Sequence, residues 1–339
     1  MAILMLKDTP VYDIAKDKVL SAKHCPFTDF TNTKRSYEKW RENRSYLRTN
    51  RIAEQLIART GGPYTREAKR RLSLSDSYWV RYSYDEETNF DTITPYSNPF
   101  SELVTYAGRS SSIPELTLTG SQPKSWRMDP ETGLTYMVKI EAPEQVYAEM
   151  MAVKLARYCR IPVMNAFIDT DAGRIYADDF QSLPKGHGVI NLVNLTTPNV
   201  SLVQLDQLGI LPKGNDPQSV LSAYEEAGVV DPHIPSVLLQ VLFDGIVGNP
   251  DRETNNSNWA IYLNNKTGER TISPLYDFNW ANLQYENPTA LQHLSYFIKK
   301  ADIVNTAVKQ AKVVEGACKQ LGLTLWQHNA RRIIEELGI

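Results

Sequence analysis

The chain has 339 residues, 42 % of them apolar and 22 % charged, with a formal net charge of −2. These proportions exclude wholesale disorder and allow one large or two medium domains with an ample apolar core. Three widely spaced cysteines, Cys25, Cys159 and Cys318, fit neither a disulfide framework nor a Cys-rich metal site.

From the N-terminus, the apolar run at 1–7 is too short for a signal peptide. Residues 33–59 are predicted helical, with Trp40, Leu47, Ile52, Leu56 and Ile57 spaced among Arg, Lys and Glu, and Gly61-Gly62-Pro63 breaks that helix. Twelve Lys/Arg stand against four Asp/Glu between positions 34 and 71, leaving 25 basic and 35 acidic residues elsewhere. The asymmetry points to a surface that meets something anionic: nucleic acid, an acidic protein or the chain's own acidic part. A solvated helical face docked on the C-terminal half is the plainer explanation. Positions 72–82 alternate like a strand, and 88–112, rich in Pro, Asn, Ser and Thr, read as a long connection.

From Leu116 the pattern changes. Strands at 116–119 and 125–128 flank a polar turn, and a hairpin turn at 129–133 leads to a strand over 134–140. That strand places Leu134, Tyr136, Val138 and Ile140 on one face, with Met137 and Lys139 on the other. Pro143 opens a helix over 144–159, followed by strands near 163–169 and 173–180. The remainder is predicted mainly helical, at 218–227, 234–247, 291–298, 301–321 and 324–337, with one β-hairpin spanning 259–264 and 271–274. The longest mostly apolar stretch, 236–248, is interrupted by Gln240 and Asp244. It falls short of the roughly 20 residues that a membrane-spanning helix needs. Strands followed by helices predict an α+β chain of two lobes. The expected division is a basic helical region at 1–90, a strand-rich part at 91–185 and a helical part at 186–339. A soluble, reduced, cytoplasmic protein is expected.

Four features could carry chemistry. The turn Thr117-Leu-Thr-Gly120-Ser121-Gln122-Pro-Lys124 can hold phosphate on backbone amides, with a lysine adding positive charge. On the helix from 144, Glu149 falls between Val153 and Ala156 on an apolar side, where a carboxylate needs a partner. Lys139 is the natural candidate, as in the Lys–Glu pair that positions nucleotide phosphates in a kinase. The loop after the helix at 234–247 sets Asp251 five residues before Asn256, an Asp to orient a hydroxyl and an Asn to hold Mg²⁺. Asp277, 26 positions beyond Asp251, stands at the exit of the following hairpin as a second Mg²⁺-binding carboxylate. Each feature alone is explained by ordinary turns and exposed charges. Their order is that of a protein-kinase-type ATP site.

At these residues the chain resembles the HipA-like serine/threonine kinases. Residues 117–124 look like that family's small-x-x-Gly-x-Gln-x-Lys phosphate loop, Tyr136-Met-Val-Lys-Ile140 like its ATP-lysine strand, and the helix from Glu149 like the one opened by its conserved Glu. Leu242-Phe-Asp-Gly-Ile-Val-Gly-Asn-Pro-Asp-Arg252 is similar to its catalytic-loop entry, and Ser273-Pro-Leu-Tyr-Asp277 to its metal-binding segment. The resemblance covers 116–281 and implies a bilobal protein-kinase-like fold with a strand-rich N-lobe and a helical C-lobe. It implies ATP and Mg²⁺ as cofactors, Asp251 as catalytic Asp, Asp277 as metal Asp, and Lys139 on the α/β-phosphates, held by Glu149. Gly120, Ser121, Gln122 and Lys124 would cradle phosphate, and the family's autophosphorylated Ser falls on Thr117, with Thr119 and Ser121 nearby. By order alone, Tyr176, Asp178 and Phe180 would line the adenine hinge.

Two positions depart from the family pattern. Glu253 stands where a His is usual, and the metal Asn is either Asn256 by spacing or Asn258 by its junction with Trp259. The reading is therefore a kinase acting on a protein hydroxyl, with a lipid or small-molecule acceptor also open. The alternatives are a kinase-fold nucleotide-binding or regulatory module without turnover, and a nucleic-acid-associated protein working through 34–71. A separate antitoxin-like chain is the partner that the resemblance implies. The five histidines show no ligand spacing, so no zinc site is expected.

Overall fold

The computed structural model describes residues 2–44, 76–94, 103–104, 124–128, 135–170, 173–180, 189–193, 199–213, 216–230, 232, 234–254, 258–281 and 288–338. In chain order the first elements are β1 (Ala2–Leu6), β2 (Thr9–Asp13), β3 (Lys18–Val19), α1 (Thr33–Arg44), β4 (Tyr78–Tyr82) and α2 (Phe90–Ile93). Then come β5 (Leu103–Val104), β6 (Lys124–Met128), β7 (Thr135–Ile140), α3 (Pro143–Tyr158), β8 (Ala166–Thr170), β9 (Gly173–Tyr176), β10 (Val189–Val193) and β11 (Val200–Gln204). The rest is α4 (Pro217–Glu226), α5 (Ile234–Val247), the single turn α6 (Asp251–Thr254), β12 (Ala260–Asn264), β13 (Arg270–Ile272), α7 (Pro288–Lys300), α8 (Val304–Leu321) and α9 (Thr324–Glu336). Two compact units interleave along the chain. One holds Met1–Ile140, Asn191–Ile210 and Ala260–Thr271, the other Glu141–Ile190, Leu211–Trp259 and Ile272–Ile339.

The first unit begins with a sheet ordered β3-β2-β1-β4. Here the structure corrects the expectation of a helical region at 1–90: among its described residues only α1 is a long helix, and strands precede and follow it. β1 is buried on both faces, which hides the alternation that would have revealed it. Leu4, Leu6, Tyr12, Tyr37, Trp40 and Tyr78 pack on one side with Leu263 of β12, while Ile3, Met5, Trp79 and Phe90 form a second cluster. β11, for which no strand was expected, pairs antiparallel with β12 from Val200↔Asn264 to Gln204↔Ala260. Buried polar groups join this pair to the residues just before β4: Ser77 N–H donates to Ser201 Oγ (3.0 Å), Ser201 to Asn265 Oδ1 (2.7 Å) and Asn265 to Ser77 Oγ (3.1 Å). β5, β6 and β7 run antiparallel, with Lys124 opposite Lys139.

Arg44, at the end of α1, is buried against Asp76. Its Nε donates to Oδ2 (2.7 Å), and its Nη2 to Oδ1 (2.5 Å) and to the Tyr78 carbonyl (2.8 Å). The planar guanidinium serves all three acceptors in a fork that an ammonium cannot reproduce. Arg44→Lys is therefore expected to destabilise the protein by about 1.5–3 kcal/mol, read as a lower urea midpoint. An unchanged midpoint would show that the fork contributes nothing.

The second unit is dominated by helices whose bounds follow their apolar periodicity. α5 covers the predicted 234–247, and α8 and α9 come within three residues of their predicted limits. α3 begins with Pro143 in its first turn, and Gln145 Oε1 accepts from Ala142 N–H (3.2 Å). β8 and β9 form a hairpin registered from Phe167↔Tyr176 to Thr170↔Gly173. Gly322 ends α8 at φ 71°, a conformation that glycine adopts without steric cost. Among the described residues no helix is long and apolar enough to cross a membrane.

Candidate functional site

The second unit builds a polar centre from the end of α5, the turn after it and the segment 276–279. α5 closes through Gly248 (φ 63°), and Asn249 N–H returns to the Asp244 carbonyl (3.0 Å). Besides donating Nδ2 to Asp244 Oδ1 (3.4 Å), the Asn249 side chain serves two further neighbours. Its Oδ1 accepts from Asp251 N–H (3.3 Å), and its Nδ2 donates to the Asp277 carbonyl (3.3 Å). One amide therefore joins the backbones of both candidate carboxylates. Asn258 donates its Nδ2 to Asp251 Oδ2 (2.6 Å), so the amide at the junction with Trp259 lies against the candidate base.

Arg252 organises this centre from beneath. It is only 1 % exposed, and its Nε lies 2.6 Å from Asp244 Oδ2. Its Nη2 donates to the Tyr276 carbonyl (2.5 Å) and its Nη1 to the Asn258 carbonyl, while Trp259 Nε1 donates to the Arg252 carbonyl (3.0 Å). The guanidinium carbon sits 5.5 Å from the ring centres of Trp259 and Phe278 and 5.6 Å from Tyr276. A buried charge demands this density of partners. Burial pushes the Asp244 carboxyl up to about 6, against the pull of Arg252. The Asp244 carboxyl faces the guanidinium directly.

Asp277 has φ 63°, a left-handed conformation that an Asp tolerates better than most residues but that costs free energy. Its neighbours hold it there. Tyr276 is fixed by Arg252, and Phe278 N–H donates to Oε2 of Glu149 (2.7 Å), a side chain of α3 that is fully buried. Asn279 Nδ2 donates to the buried Glu141 (2.6 Å). Two carboxylates eight positions apart therefore clamp the residues that follow Asp277.

Asp251, Asn258, Asp277 and Glu149 thus belong to one hydrogen-bonded assembly. Lys139 is 1 % exposed on β7, where a solvent-facing lysine was the simpler expectation. Tyr176, Asp178 and Phe180 are engaged around α3: Asp178 pairs with Arg157, the Phe180 carbonyl accepts from Lys154 (3.0 Å), and Tyr176 packs on Phe167. Among the described residues no hydrogen bond joins these three to Asp251 or Asp277. Thr117, Thr119, Gly120, Ser121, Gln122 and Asn256 lie outside the described residues, and Lys124 is described through its backbone alone. Sequence reasoning missed Asn249, Arg252 and Glu141. For Arg252 a signal existed: Asp244 interrupts the most apolar stretch of the chain and needs a cation.

The donor set of Asp251, Asp277 and Asn258, two carboxylates and an amide, suits a hard divalent cation such as Mg²⁺. No group of three or more His, Cys, Asp or Glu among the described residues forms a ready metal cluster.

No family model matches the chain, and no curated protein matches it in sequence. Solved structures do. Over 99 % of this chain and 96 % of the other, it superposes with TM-score 0.54 and 12 % identity on a protein in the structure described as the Shewanella oneidensis MR-1 toxin–antitoxin system HipA, HipB and its operator DNA complex. The chain is similar to HipA in fold. The Helicobacter pylori proinflammatory kinase CtkA also matches, with TM-score 0.45 and 15 % identity over 66 % of this chain and 93 % of that one. The HipA likeness runs the length of the chain, beyond the stretch 116–281 where the sequence resemblance was read.

Proposed function

We propose that the chain is an ATP- and Mg²⁺-dependent kinase that phosphorylates serine or threonine hydroxyls of a protein. The observation that carries the reading is Asn249, which ties Asp251 to Asp277 through one side chain. In this reading Asp251 accepts the proton of the attacking hydroxyl as its oxygen bonds the γ-phosphorus and the bridging bond to the β-phosphate breaks, releasing ADP. Asp277, with Asn258 or Asn256, holds Mg²⁺, which neutralises charge on the phosphates. Lys139 and the loop at 117–124 contact the phosphates, and Tyr176, Asp178 and Phe180 border the adenine. Thr117, Thr119 and Ser121 are the candidate autophosphorylation positions, where a phosphate would put negative charge in the loop meant for nucleotide phosphate.

By analogy with the HipA–HipB–DNA complex, a separate small DNA-binding chain is the proposed partner, and the cytoplasm the proposed location. Direct nucleic-acid binding through 34–71 is the lesser reading. The decisive measurement incubates the purified full chain with γ-labelled ATP and Mg²⁺, alone and with a cell lysate. Label is expected on the chain itself or on a lysate protein, and it should disappear in Asp277→Ala. ATP raising the melting temperature without any transfer would instead establish a nucleotide-binding module, the reading that Glu253 in place of the family's His favours.

A further inference from the structure

A second polar centre lies in the first unit, where α1 meets the turn after β11. Residues 204–210 form a tight turn, with Gln207 N–H on the Gln204 carbonyl (3.1 Å), Gly209 N–H on the Asp206 carbonyl (2.9 Å) and Ile210 N–H on the Leu205 carbonyl (2.9 Å). Asn43 of α1 reaches over this turn and donates Nδ2 to the carbonyls of Asp206 (2.9 Å) and Gln207 (3.4 Å). Gln207, 6 % exposed, donates Nε2 to Gln204 Oε1 (3.2 Å). Both amides are thereby oriented with nitrogen toward an acceptor, leaving their oxygens to find something else.

Among the described residues nothing meets those oxygens. Asn43 Oδ1, Asp206 Oδ1 and Gln207 Oε1 are all buried without a hydrogen-bond donor. Each lost donor costs about 1–3 kcal/mol, so three on adjoining residues call for an electropositive occupant. The nearby Lys39, one turn before Asn43 on the same face of α1, does not supply it. Its Nζ bonds the Gly209 carbonyl (3.4 Å), and its stem lies so close over Gly209 that a Cβ there would meet Lys39 Cε at 1.8 Å.

We propose that Asn43, Asp206 and Gln207 form a site for a hard, oxygen-preferring divalent cation of the Ca²⁺ class. One carboxylate and two neutral amide oxygens are hard ligands, which excludes thiophilic metals. The ligands come from both a helix end and a turn, and Ca²⁺ accepts such mixed oxygen donors with less geometric constraint than the strict octahedron of Mg²⁺. With a single charged ligand the affinity belongs to the weak class, about 10⁻⁴–10⁻³ M. The bound ion pins the end of α1 to the turn after β11, and the site is independent of the nucleotide chemistry proposed for the second unit.

The test is the melting temperature of the full chain against CaCl₂ from 0 to 10 mM at constant ionic strength, with MgCl₂ in parallel. A saturable rise of about 2–4 °C with Ca²⁺ is expected, smaller with Mg²⁺ and absent in Asp206→Asn. Should Asp206→Asn fail to fold, Gln207→Met keeps the bulk, removes one ligand oxygen and is expected to raise the Ca²⁺ midpoint about fivefold or more. Divalent binding at Asp251 and Asp277 would not respond to either substitution, so the two centres are separable. No rise by 10 mM, or a rise unchanged in the variants, overturns the site and assigns the three oxygens to water.

Discussion

Arg252→Ala is expected to destabilise the protein by about 3–5 kcal/mol and to abolish any phosphoryl transfer with it. The substitution leaves Asp244, 2 % exposed, as a buried carboxylate without its cation. Removing one member of a buried pair costs about that much, whereas replacing both by apolar groups of similar volume is often close to neutral. It also strips donors from the Tyr276 and Asn258 carbonyls and opens a hole among three aromatic rings. The distinguishing comparison is Arg252→Met combined with Asp244→Leu. That pair should recover most of the stability in urea denaturation but not the activity, because the Asp277 backbone still lacks its anchor at Tyr276. A loss below about 1 kcal/mol in Arg252→Ala would mean that water reaches Asp244 freely and that the centre is not the dry scaffold described above.

Asp251→Asn should behave in the opposite way, with catalysis lost and fold retained. The change is isosteric, and its remaining oxygen can still accept from Asn258, which now donates to Asp251 Oδ2 at 2.6 Å. What disappears is the basic oxygen that takes the proton of the incoming hydroxyl. General-base contributions of this kind amount to about 10²–10⁴-fold in rate. We expect kcat to fall by that factor while the melting temperature and its response to ATP stay within error. Transfer persisting within tenfold of the parent would remove Asp251 from the base role and direct attention to another acceptor.

The helical layer of the second unit was largely legible in the sequence, because α5, α8 and α9 repeat apolar residues at 3.6-residue spacing over three turns or more. The N-terminal sheet was not. Ala2–Leu6 is a five-residue apolar run buried on both faces, and periodicity cannot separate such a run from helix or loop; Val200–Gln204 carries Ser201 and Gln204 among three apolar residues and shows no regular alternation. The site divides along the same line. Asp251, Asp277, Glu149 and Lys139 were singled out because kinase chemistry demands their types in that order. Asn249 was hidden in Gly-Asn-Pro, an ordinary turn tripeptide, and Arg252 beside Asp251 reads as an exposed charge until its link to Asp244 across the end of α5 is seen. Glu149 was paired in expectation with Lys139, and its bond to the Phe278 amide was missed because a strand-to-helix spacing carries no information about a backbone 129 positions away.

The interleaving of the two units has a consequence for biosynthesis. The first unit takes Leu263 into its earliest hydrophobic cluster and closes its polar network through Asn265, yet it begins at the first strand. A nascent chain emerging from the ribosome therefore carries its N-terminal strands unfinished until more than 260 residues have been translated. Neither unit corresponds to a continuous stretch that could be cut out and produced alone. Completion of the first unit thus waits on a segment far along the chain, and its apolar strands stay without their full packing partners until that segment arrives.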